Sequence, residues 1–265
     1  MKHFTVCTTI YEAARPYVGD WIASVIAASG AYEVEAVIAV DEVADSDDLL
    51  APLRAKLTVR SIPVHGSPSS IRGVMLAAAL ENKSDVLVLS DCDDKIGPLA
   101  FERHACALRK ADFSYGDLKL IDTGGNNLGT TLFEGKNIPD RLESAADLEA
   151  RNFVGFGNSA VRSKRLSKAH CDIPKDIVAA DWWLFTTLLT MGLTGAKTAG
   201  PVGDYRQHER NVYVQQTGAD IRVRLKRECI VALAHFRALP RSVENARITK
   251  RLEVMLGQLS THKRS

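Results

Sequence analysis

The sequence predicts an α/β fold in which a mostly parallel sheet is covered by helices on both faces. In the first 121 residues, short β-branched segments alternate with helical segments, and the connections between them are short. Val34–Val40 and Val86–Ser90 are apolar almost throughout, which is typical of strands buried on both faces. In such a sheet, ligands bind beyond the carboxyl ends of the strands.

Each element is assigned from its hydrophobic period and from the residues that begin or end it. Strands are predicted over Phe4–Ile10, Val34–Val40, Leu57–Val64, Val86–Ser90 and Phe113–Ile121. Helices are predicted over Tyr17–Ser29, Leu49–Leu57, Ser69–Asn82, Leu99–Lys110, Asp181–Met191, Gly218–Leu239 and Ser242–Leu259. Gly30 ends the first helix, and Pro68 suits the first turn of the third. Residues 122–151 are expected to be loop-like, and Gly195–Tyr205 to form short strands and turns.

The composition excludes several classes of protein. Hydrophobic residues make up 46% and charged residues 25% of the 265 positions, which allows a real core and excludes wholesale disorder. No run approaches the roughly 18 apolar residues of a membrane-spanning helix, and the first residues lack the apolar stretch of a signal peptide. The five cysteines are scattered without a CxxC pair and indicate reduced thiols, so we expect a cytoplasmic protein.

The positive charge is concentrated at the end of the chain. From Ile221 onward there are eleven Lys or Arg against three Glu, a balance of +8 within a net charge of +2, which predicts an anionic partner. The pattern consists of basic residues Arg222, Arg224, Lys226, Arg227 and Arg237 interleaved with Val223, Leu225, Ile230, Leu233 and Phe236. Three interpretations remain open: a solvated face packed on the body, peripheral contact with the inner face of a membrane, and a homodimer interface. Nucleic-acid binding is disfavoured because the rest of the chain is acidic and no recognition motif accompanies the tail.

An acidic motif gives the strongest chemical signal. Asp91, Asp93 and Asp94 directly follow the strand Val86–Ser90. Three carboxylates within four residues repel one another unless they are solvated or bound to a cation. Such hard oxygen donors suit Mg²⁺ or Mn²⁺, which bridges carboxylates to substrate phosphates. A solvated turn in which Asp94 caps the next helix is the alternative.

Other polar residues follow the remaining strands or begin helices. Thr9, Tyr11 and Asp41 stand at the ends of the first two strands, where they suit a base and a ribose or simply make loop contacts. Arg72, near the start of a helix, would attract phosphate or form a salt bridge.

The second half of the chain adds three groups of candidates. Asp181 precedes Trp182 at a helix start and is either an N-cap or a general base whose pKa is raised by burial. The other candidates are Gly157 and Asn158 in a glycine-containing loop, and Arg206 and His208 in the polar segment Tyr205–Asn211.

In their order and spacing, these residues resemble the family 2 glycosyltransferases, which have the GT-A fold, over roughly residues 4–212. The matching positions are Tyr11, Asp41, Arg72, Asp91-Cys92-Asp93-Asp94 as the DxD-type motif, Asp181-Trp182, and Tyr205-Arg206-Gln207-His208 with Asn211. The last cluster is similar to one in bacterial rhamnosyltransferase-like members that build surface polysaccharides. The resemblance implies a Rossmann-like GT-A domain over residues 1–215, with a nucleotide-binding half at about 1–121 and an acceptor half at about 122–215. Residues 216–265 would form a basic helical extension.

The resemblance also implies an inverting, metal-dependent transfer of a sugar from a nucleotide diphosphate, UDP- or dTDP-linked, to a hydroxyl of a glycan or lipid-linked glycan. Asp181 would be the catalytic base, and Asp93 with Asp94 would hold the Mg²⁺ or Mn²⁺ cofactor. The donor-binding residues would be Thr9, Tyr11, Asp41, Arg72, Asp91, Arg206 and His208. The acceptor-binding residues would be Trp182, Gly157 and Asn158.

The sequence departs from that family at three places. Glu12 replaces a common Asn, Asp41-Glu42-Val43-Ala44 replaces Asp-Asp-Gly-Ser, and Ala180 stands where an acidic residue commonly precedes the base. These departures keep open a GT-A-like module that binds a nucleotide or glycan without turning it over. A dinucleotide-dependent dehydrogenase and a P-loop enzyme are excluded because neither glycine-rich motif is present.

Overall fold

The computed structural model describes residues 2–30, 32–149, 151–208, 221–239 and 241–261. Its strands are β1 His3–Tyr11, β2 Glu33–Asp41, β3 Thr58–Val64, β4 Val86–Leu89, β5 Lys95–Ile96, β6 Phe113–Tyr115, β7 Leu118–Ile121, β8 Asn127–Thr131, β9 Arg141–Leu142, β10 Ser159–Arg162, β11 Gly195–Lys197 and β12 Gly203–Arg206. Its helices are α1 Arg15–Ser29, α2 Ser46–Arg54, α3 Pro68–Ala79, α4 Ala100–Ala107, α5 Lys168–Cys171, α6 Ala180–Thr190, α7 Ile221–Ala238 and α8 Val243–Thr261.

The strands form a large, mostly parallel sheet and a smaller mixed one. The large sheet has eight strands in the order β3-β2-β1-β4-β10-β6-β11-β9, and the small one has four in the order β5-β12-β7-β8. The first four strands of the chain are parallel, and their register pairs Tyr11 with Asp41 and Cys7 with Leu89. The carboxyl ends of β1, β2 and β4 therefore lie at one edge, and the predicted α/β class is confirmed.

Two hydrophobic layers cover the faces of the large sheet. One layer contains Trp21 of α1, Leu50 of α2 and Phe101 of α4. The other contains side chains of α3 and α6 together with Phe236 of α7 and Leu252 of α8. The last two helices thus share a core with α6. The proposed domain boundary near residue 215 lies outside the described residues.

The predicted strand Phe113–Ile121 is wrong in one respect, because it divides into β6 and β7, which belong to different sheets. The division falls at Gly116, whose backbone N–H donates to Asn158 O (2.9 Å). A Cβ at this glycine would lie 2.5 Å from Val202 Cγ1, so only glycine allows the chain to cross between the sheets here.

Strand β10 has no counterpart in the sequence prediction, although it lies in the centre of the large sheet. It runs antiparallel to both β4 and β6, and its register pairs Ser159 with Leu89 and Arg162 with Val86. This pairing brings the loop that precedes β10 beside the residues that follow β4.

Among the described residues, no helix combines the length and the apolar character needed to cross a bilayer.

Candidate active site

The acidic turn Asp91–Asp94 continues directly from β4 at the carboxyl edge of the sheet. The Ser90 N–H donates to Cys7 O (3.0 Å), so the turn begins where the β1–β4 pairing ends. Asp91 and Asp93 are half-buried, whereas Asp94 is only 4% exposed. The predicted motif is therefore partly enclosed by the protein and is not a fully solvated turn.

Asp93 connects three parts of the fold. Its Oδ2 accepts a hydrogen bond from the Tyr11 hydroxyl at the end of β1 (3.4 Å) and lies 2.9 Å from Nε2 of His208, which follows β12. The His208 ring stacks on Tyr17 of α1, with centroids 5.6 Å apart. The structure thus brings together Tyr11, Asp93 and His208. Tyr11 lies 82 residues before Asp93 in the sequence, and His208 lies 115 residues after it.

Asp91 pairs with Arg72 of α3. The Arg72 Nη2 donates to Asp91 Oδ1 (2.5 Å), and the backbone N–H of Gly157 donates to the same carboxylate. Burial raises the pKa of Asp91, and the neighbouring Arg72 opposes that shift. The guanidinium lies over the Phe156 ring at 4.9 Å, and its Nη1 is buried without a hydrogen-bond partner among the described residues. A buried cationic donor left without an acceptor fits an anion that the protein would bind here.

Asp94 connects the acidic turn to the backbone of β12. Its Oδ1 accepts the backbone N–H of Arg206 (2.8 Å), whereas its Oδ2 is buried and has no partner among the described side chains. Burial, together with the Asp93 and Asp91 carboxylates, raises the pKa of Asp94 well above its usual range. A Cβ on Gly157 would lie 3.0 Å from Oδ2 of both Asp91 and Asp94. A side chain at 157 would therefore crowd both carboxylates of the acidic turn.

Arg206 has a different place from the one expected. Its side chain is 1% exposed, and the guanidinium donates to Asp93 O (2.8 Å), to Thr123 O (2.8 Å) and to Asp20 Oδ2 (2.7 Å). It also lies over the Tyr17 ring at 4.7 Å. The expectation that Arg206 contacts a diphosphate is corrected, because its guanidinium is used inside the protein to hold the backbone of the acidic turn. Asn211, the last residue of that cluster, lies outside the described residues.

Asp181 lies in the first turn of α6, where it is half-buried. Its Oδ1 accepts the backbone N–H of Trp182 (2.7 Å), and the Asn152 side chain donates to it as well. The residue in the N-cap position is Ala179, so Asp181 is not the cap. Burial raises the pKa of Asp181 from 3.8 to about 6 despite these hydrogen bonds. A carboxylate with that pKa is suited to accept a proton near neutral pH.

The loop before β10 contacts both carboxylate sites. A Cβ on Gly155 would lie 3.4 Å from Asp181 Oδ2, and one on Gly157 would lie 3.0 Å from Asp91 Oδ2. Two residues of extended chain span at most about 7 Å. Asp181 and the acidic turn therefore lie against the same loop, and Arg72 and Asp91 are close enough to influence the pKa of Asp181.

Two residues that were expected to bind an acceptor are occupied by internal contacts. Asn158 is 2% exposed, and its amide bonds to the backbone of Gly116, Phe153 and Gly155. Trp182 is 4% exposed and donates from Nε1 to Leu148 O (2.9 Å). The structure therefore corrects both expectations: Asn158 shapes the loop, and Trp182 anchors α6.

At the nucleoside end of the predicted site, Thr9 is buried and Asp41 is only partly buried. Thr9 is 6% exposed and donates to Met75 Sδ (3.9 Å), so its hydroxyl is used within the β1–α3 packing. Asp41 lies with Glu42 and His65, and their ligand atoms are all within 4.8 Å of one another. His65 was not among the sequence candidates, although it follows a strand end as the others do.

Asp93 and His208 place two ligand atoms suited to a divalent cation side by side at the acidic turn. Asp93 offers a carboxylate oxygen 2.9 Å from the His208 imidazole, and the unpaired buried oxygen of Asp94 belongs to the same turn. Carboxylate oxygens suit Mg²⁺ and Mn²⁺, and one or two protein ligands are usual where substrate phosphates complete the coordination.

No protein-family model matches the chain, and no curated protein matches it in sequence. Solved structures match it in fold. The fragment 1–349 of S. aureus TarS in complex with UDP-GlcNAc has a TM-score of 0.61 at 14% identity, covering 98% of this chain and 71% of that chain. The Pyrobaculum calidifontis mannosyltransferase PcManGT in complex with GDP-Man and Mn²⁺ has a TM-score of 0.58 at 12% identity, covering 96% and 69%. At this identity the likeness shows the fold alone, and that fold is the GT-A-like fold of these glycosyltransferases.

Proposed function

We propose that the protein transfers a sugar from a nucleotide diphosphate to an acceptor hydroxyl with inversion of configuration, as a member of the family 2 glycosyltransferases. The observation that carries this proposal is that the acidic turn and Asp181 lie against the same Gly155–Gly157 segment. The two carboxylate sites would have the separate properties that such a reaction needs, one for a leaving diphosphate and one for an attacking hydroxyl.

Asp93 and Asp94, together with His208, would hold a divalent ion, Mg²⁺ or Mn²⁺, on the donor diphosphate. When bound, the ion would neutralise negative charge that develops on the leaving phosphate. The Mn²⁺ in the PcManGT complex supports this cofactor. Arg72 would donate from its unpartnered Nη1 to the diphosphate, and Asp91 would contact the nucleoside.

Asp181 would accept the proton of the acceptor hydroxyl as that oxygen attacks the anomeric carbon. With a pKa of about 6, the carboxyl is mostly ionised at neutral pH and is still a better proton acceptor than an ordinary aspartate. Direct attack from the side opposite the diphosphate inverts the anomeric centre.

Tyr11 and Asp41 would contact the base and ribose of the donor, because the β1–β2 register places them side by side at the sheet edge. The UDP-GlcNAc in the TarS complex supports a uridine donor, and dTDP differs from UDP only in its deoxyribose and a base methyl group. The acceptor would be a glycan or a lipid-linked glycan, as in bacterial surface polysaccharide synthesis.

Nucleotide binding with and without metal tests this proposal. We expect UDP or dTDP to raise the melting temperature of the protein only when Mn²⁺ or Mg²⁺ is present. Asp93→Asn should abolish that shift, whereas the matched control Asp48→Asn, on the exposed side of α2, should preserve it. A shift of the same size in EDTA would contradict the role of Asp93.

Release of the nucleoside diphosphate from the donor separates an enzyme from a binding module. The non-catalytic alternative rests on the buried Ala180, which replaces a common acidic residue. Metal-dependent nucleotide binding together with no release of UDP or dTDP from any donor, with glycan acceptors present, would favour that alternative.

A further inference from the structure

Helix α7 presents one face to solvent that combines aliphatic and cationic side chains. Val223 (63% exposed), Lys226, Arg227 and Ile230 (49% exposed) recur at helical spacing, and the exposed Arg237 continues the same face. The opposite face carries the buried residues Cys229, Ala232, Leu233 and Phe236. The helix thus has a separate apolar side for the core, and its outer aliphatic residues are not needed there.

Helix α8 repeats this arrangement. Val243 (90% exposed), Arg247, Lys250 and Val254 (55% exposed) lie on its outer face, whereas Ile248 and Leu252 are buried. The two helices pack against each other, and the Cys229 thiol donates to Leu252 O (3.3 Å). We call the exposed residues of α7 and α8 together the outer face of the helical pair.

The positive charge of the outer face is largely uncompensated. Arg237 pairs with Glu253 (2.7 Å), and Arg251 pairs with Glu149. Among the described residues, no ion pair involves Lys226, Arg227, Arg247 or Lys250. The face therefore presents four unpaired cations beside aliphatic side chains that are exposed to water.

We propose that the outer face of the helical pair binds the surface of an anionic phospholipid bilayer. Such a surface satisfies both components, because its headgroups attract the cations and its acyl boundary accepts the aliphatic side chains. A second copy of this chain would bring the same positive charge and repel the first. A nucleic acid would attract the cations but would leave Val243 and Val254 in water. This inference does not depend on sugar transfer.

Co-sedimentation of the full chain with vesicles tests the proposal. We expect binding to vesicles of phosphatidylcholine mixed with phosphatidylglycerol, a loss of binding at high salt, and little binding to phosphatidylcholine alone. The double substitution Lys226→Gln with Arg227→Gln should lower the partition coefficient roughly tenfold or more. Its control is Lys83→Gln with Arg109→Gln, which removes the same charge from exposed positions elsewhere and should retain binding.

An aliphatic pair tests the other component of the face. Val254→Ser should weaken vesicle binding, whereas Val74→Ser, on the exposed side of α3, should leave it unchanged. Equal partition of the wild type and the Lys226–Arg227 variant, or no binding to anionic vesicles at low salt, would overturn the proposal. A dimer in sedimentation velocity that Val254→Ser dissociates, or binding to duplex DNA, would also overturn it if either occurred without vesicle binding. Circular dichroism of each variant confirms that the compared proteins are folded.

Discussion

The two carboxylate sites beside the Gly155–Gly157 loop use the same functional group in different surroundings. At the acidic turn, the carboxylates are contacted by Arg72, His208 and the backbone N–H of Arg206. At the start of α6, the carboxylate of Asp181 is held by the Trp182 backbone N–H and the Asn152 side chain, and burial dominates its pKa. The first arrangement suits the binding of charged groups, and the second suits the movement of a proton.

The difference shows how position in the fold sets the role of an aspartate. The acidic turn lies where three parallel strands end, so side chains from β1, β4 and the segment after β12 can meet there. Asp181 comes from a helix whose remaining residues are almost all buried in the core. A carboxyl at that boundary loses solvent, and the neighbouring Arg72 offsets only part of the resulting rise in its pKa.

The largest expected effect comes from removing the proton acceptor. Asp181→Asn should lower sugar transfer by about 100-fold or more, within the usual range for losing a general base, while donor affinity changes little. Initial rates and nucleotide titration measure the two quantities. Asp172→Asn, at an exposed position before α6, is the matched control. Unaltered turnover in Asp181→Asn would show that Asp181 is not the proton acceptor, and the two carboxylate sites would then have no separate roles.

The next effect concerns the residue that holds the acidic turn. Arg206→Lys keeps the charge but cannot reproduce bonds to Asp93 O, Thr123 O and Asp20 together. We expect Mn²⁺-dependent nucleotide affinity to fall roughly 10- to 100-fold, as is usual when a residue that orients metal ligands is changed. Isothermal titration at fixed nucleotide and varied Mn²⁺ measures this change.

Arg162→Lys is the control for that substitution. Arg162 also donates to a backbone carbonyl, that of Leu108, but it lies at the end of β10 that is farther from the acidic turn. Arg206→Lys with unchanged metal affinity and lower thermal stability would show that Arg206 serves only the fold. Arg206→Lys with unchanged metal dependence but weaker nucleotide binding would restore the direct diphosphate contact expected from the sequence.

Features marked by the local sequence were predictable, whereas contacts between residues that are distant in the sequence were not. Strands β1 to β4 follow from short apolar segments, and Asp93 and Asp181 follow from their order in the chain. The strand β10 has only four residues, and its pairing partners lie far away in sequence, so no local period marks it. The buried role of Arg206 depends on Asp20 of α1, which is 186 residues away and looks like any polar helix position.

Other differences follow from close contacts that single residues do not reveal. Gly116 divides a predicted strand because Val202 packs against its backbone, and nothing in the neighbouring sequence indicates that contact. His65 was detectable in principle, since the β2–β3 register pairs Asp41 with Val64 and places the next residue at the same edge. His65 carries the same signal as the other candidates, because it is a polar residue directly after the end of a strand.

The pH dependence of the transfer rate should reflect the ionisation of Asp181, with a smaller change in rate than the substitutions above produce. Its pKa is raised from 3.8 to about 6, and only the ionised form accepts a proton, so the rate should fall as pH decreases through 6. Below that value the decrease should approach tenfold per pH unit. Rates measured at saturating donor and metal isolate this group from the acidic turn. The residual activity of Asp181→Asn should lack the transition, and its persistence there would assign it to another group.

The smallest expected effect on turnover comes from the tryptophans of α6, and it tests the corrected role of Trp182. Trp182→Phe removes the donor to Leu148 O and leaves a buried carbonyl without a partner, which should lower the free energy of unfolding by about 1–3 kcal/mol. Trp183→Phe is the matched control, because the buried Trp183 Nε1 has no partner among the described residues and its loss should cost less. Urea unfolding measures the difference. If Trp182 only anchors the helix, the KM for the acceptor stays constant in both variants, since both indoles are buried. A raised acceptor KM in Trp182→Phe with unchanged stability would return this residue to the acceptor site and make the start of α6 a binding surface as well as a proton acceptor.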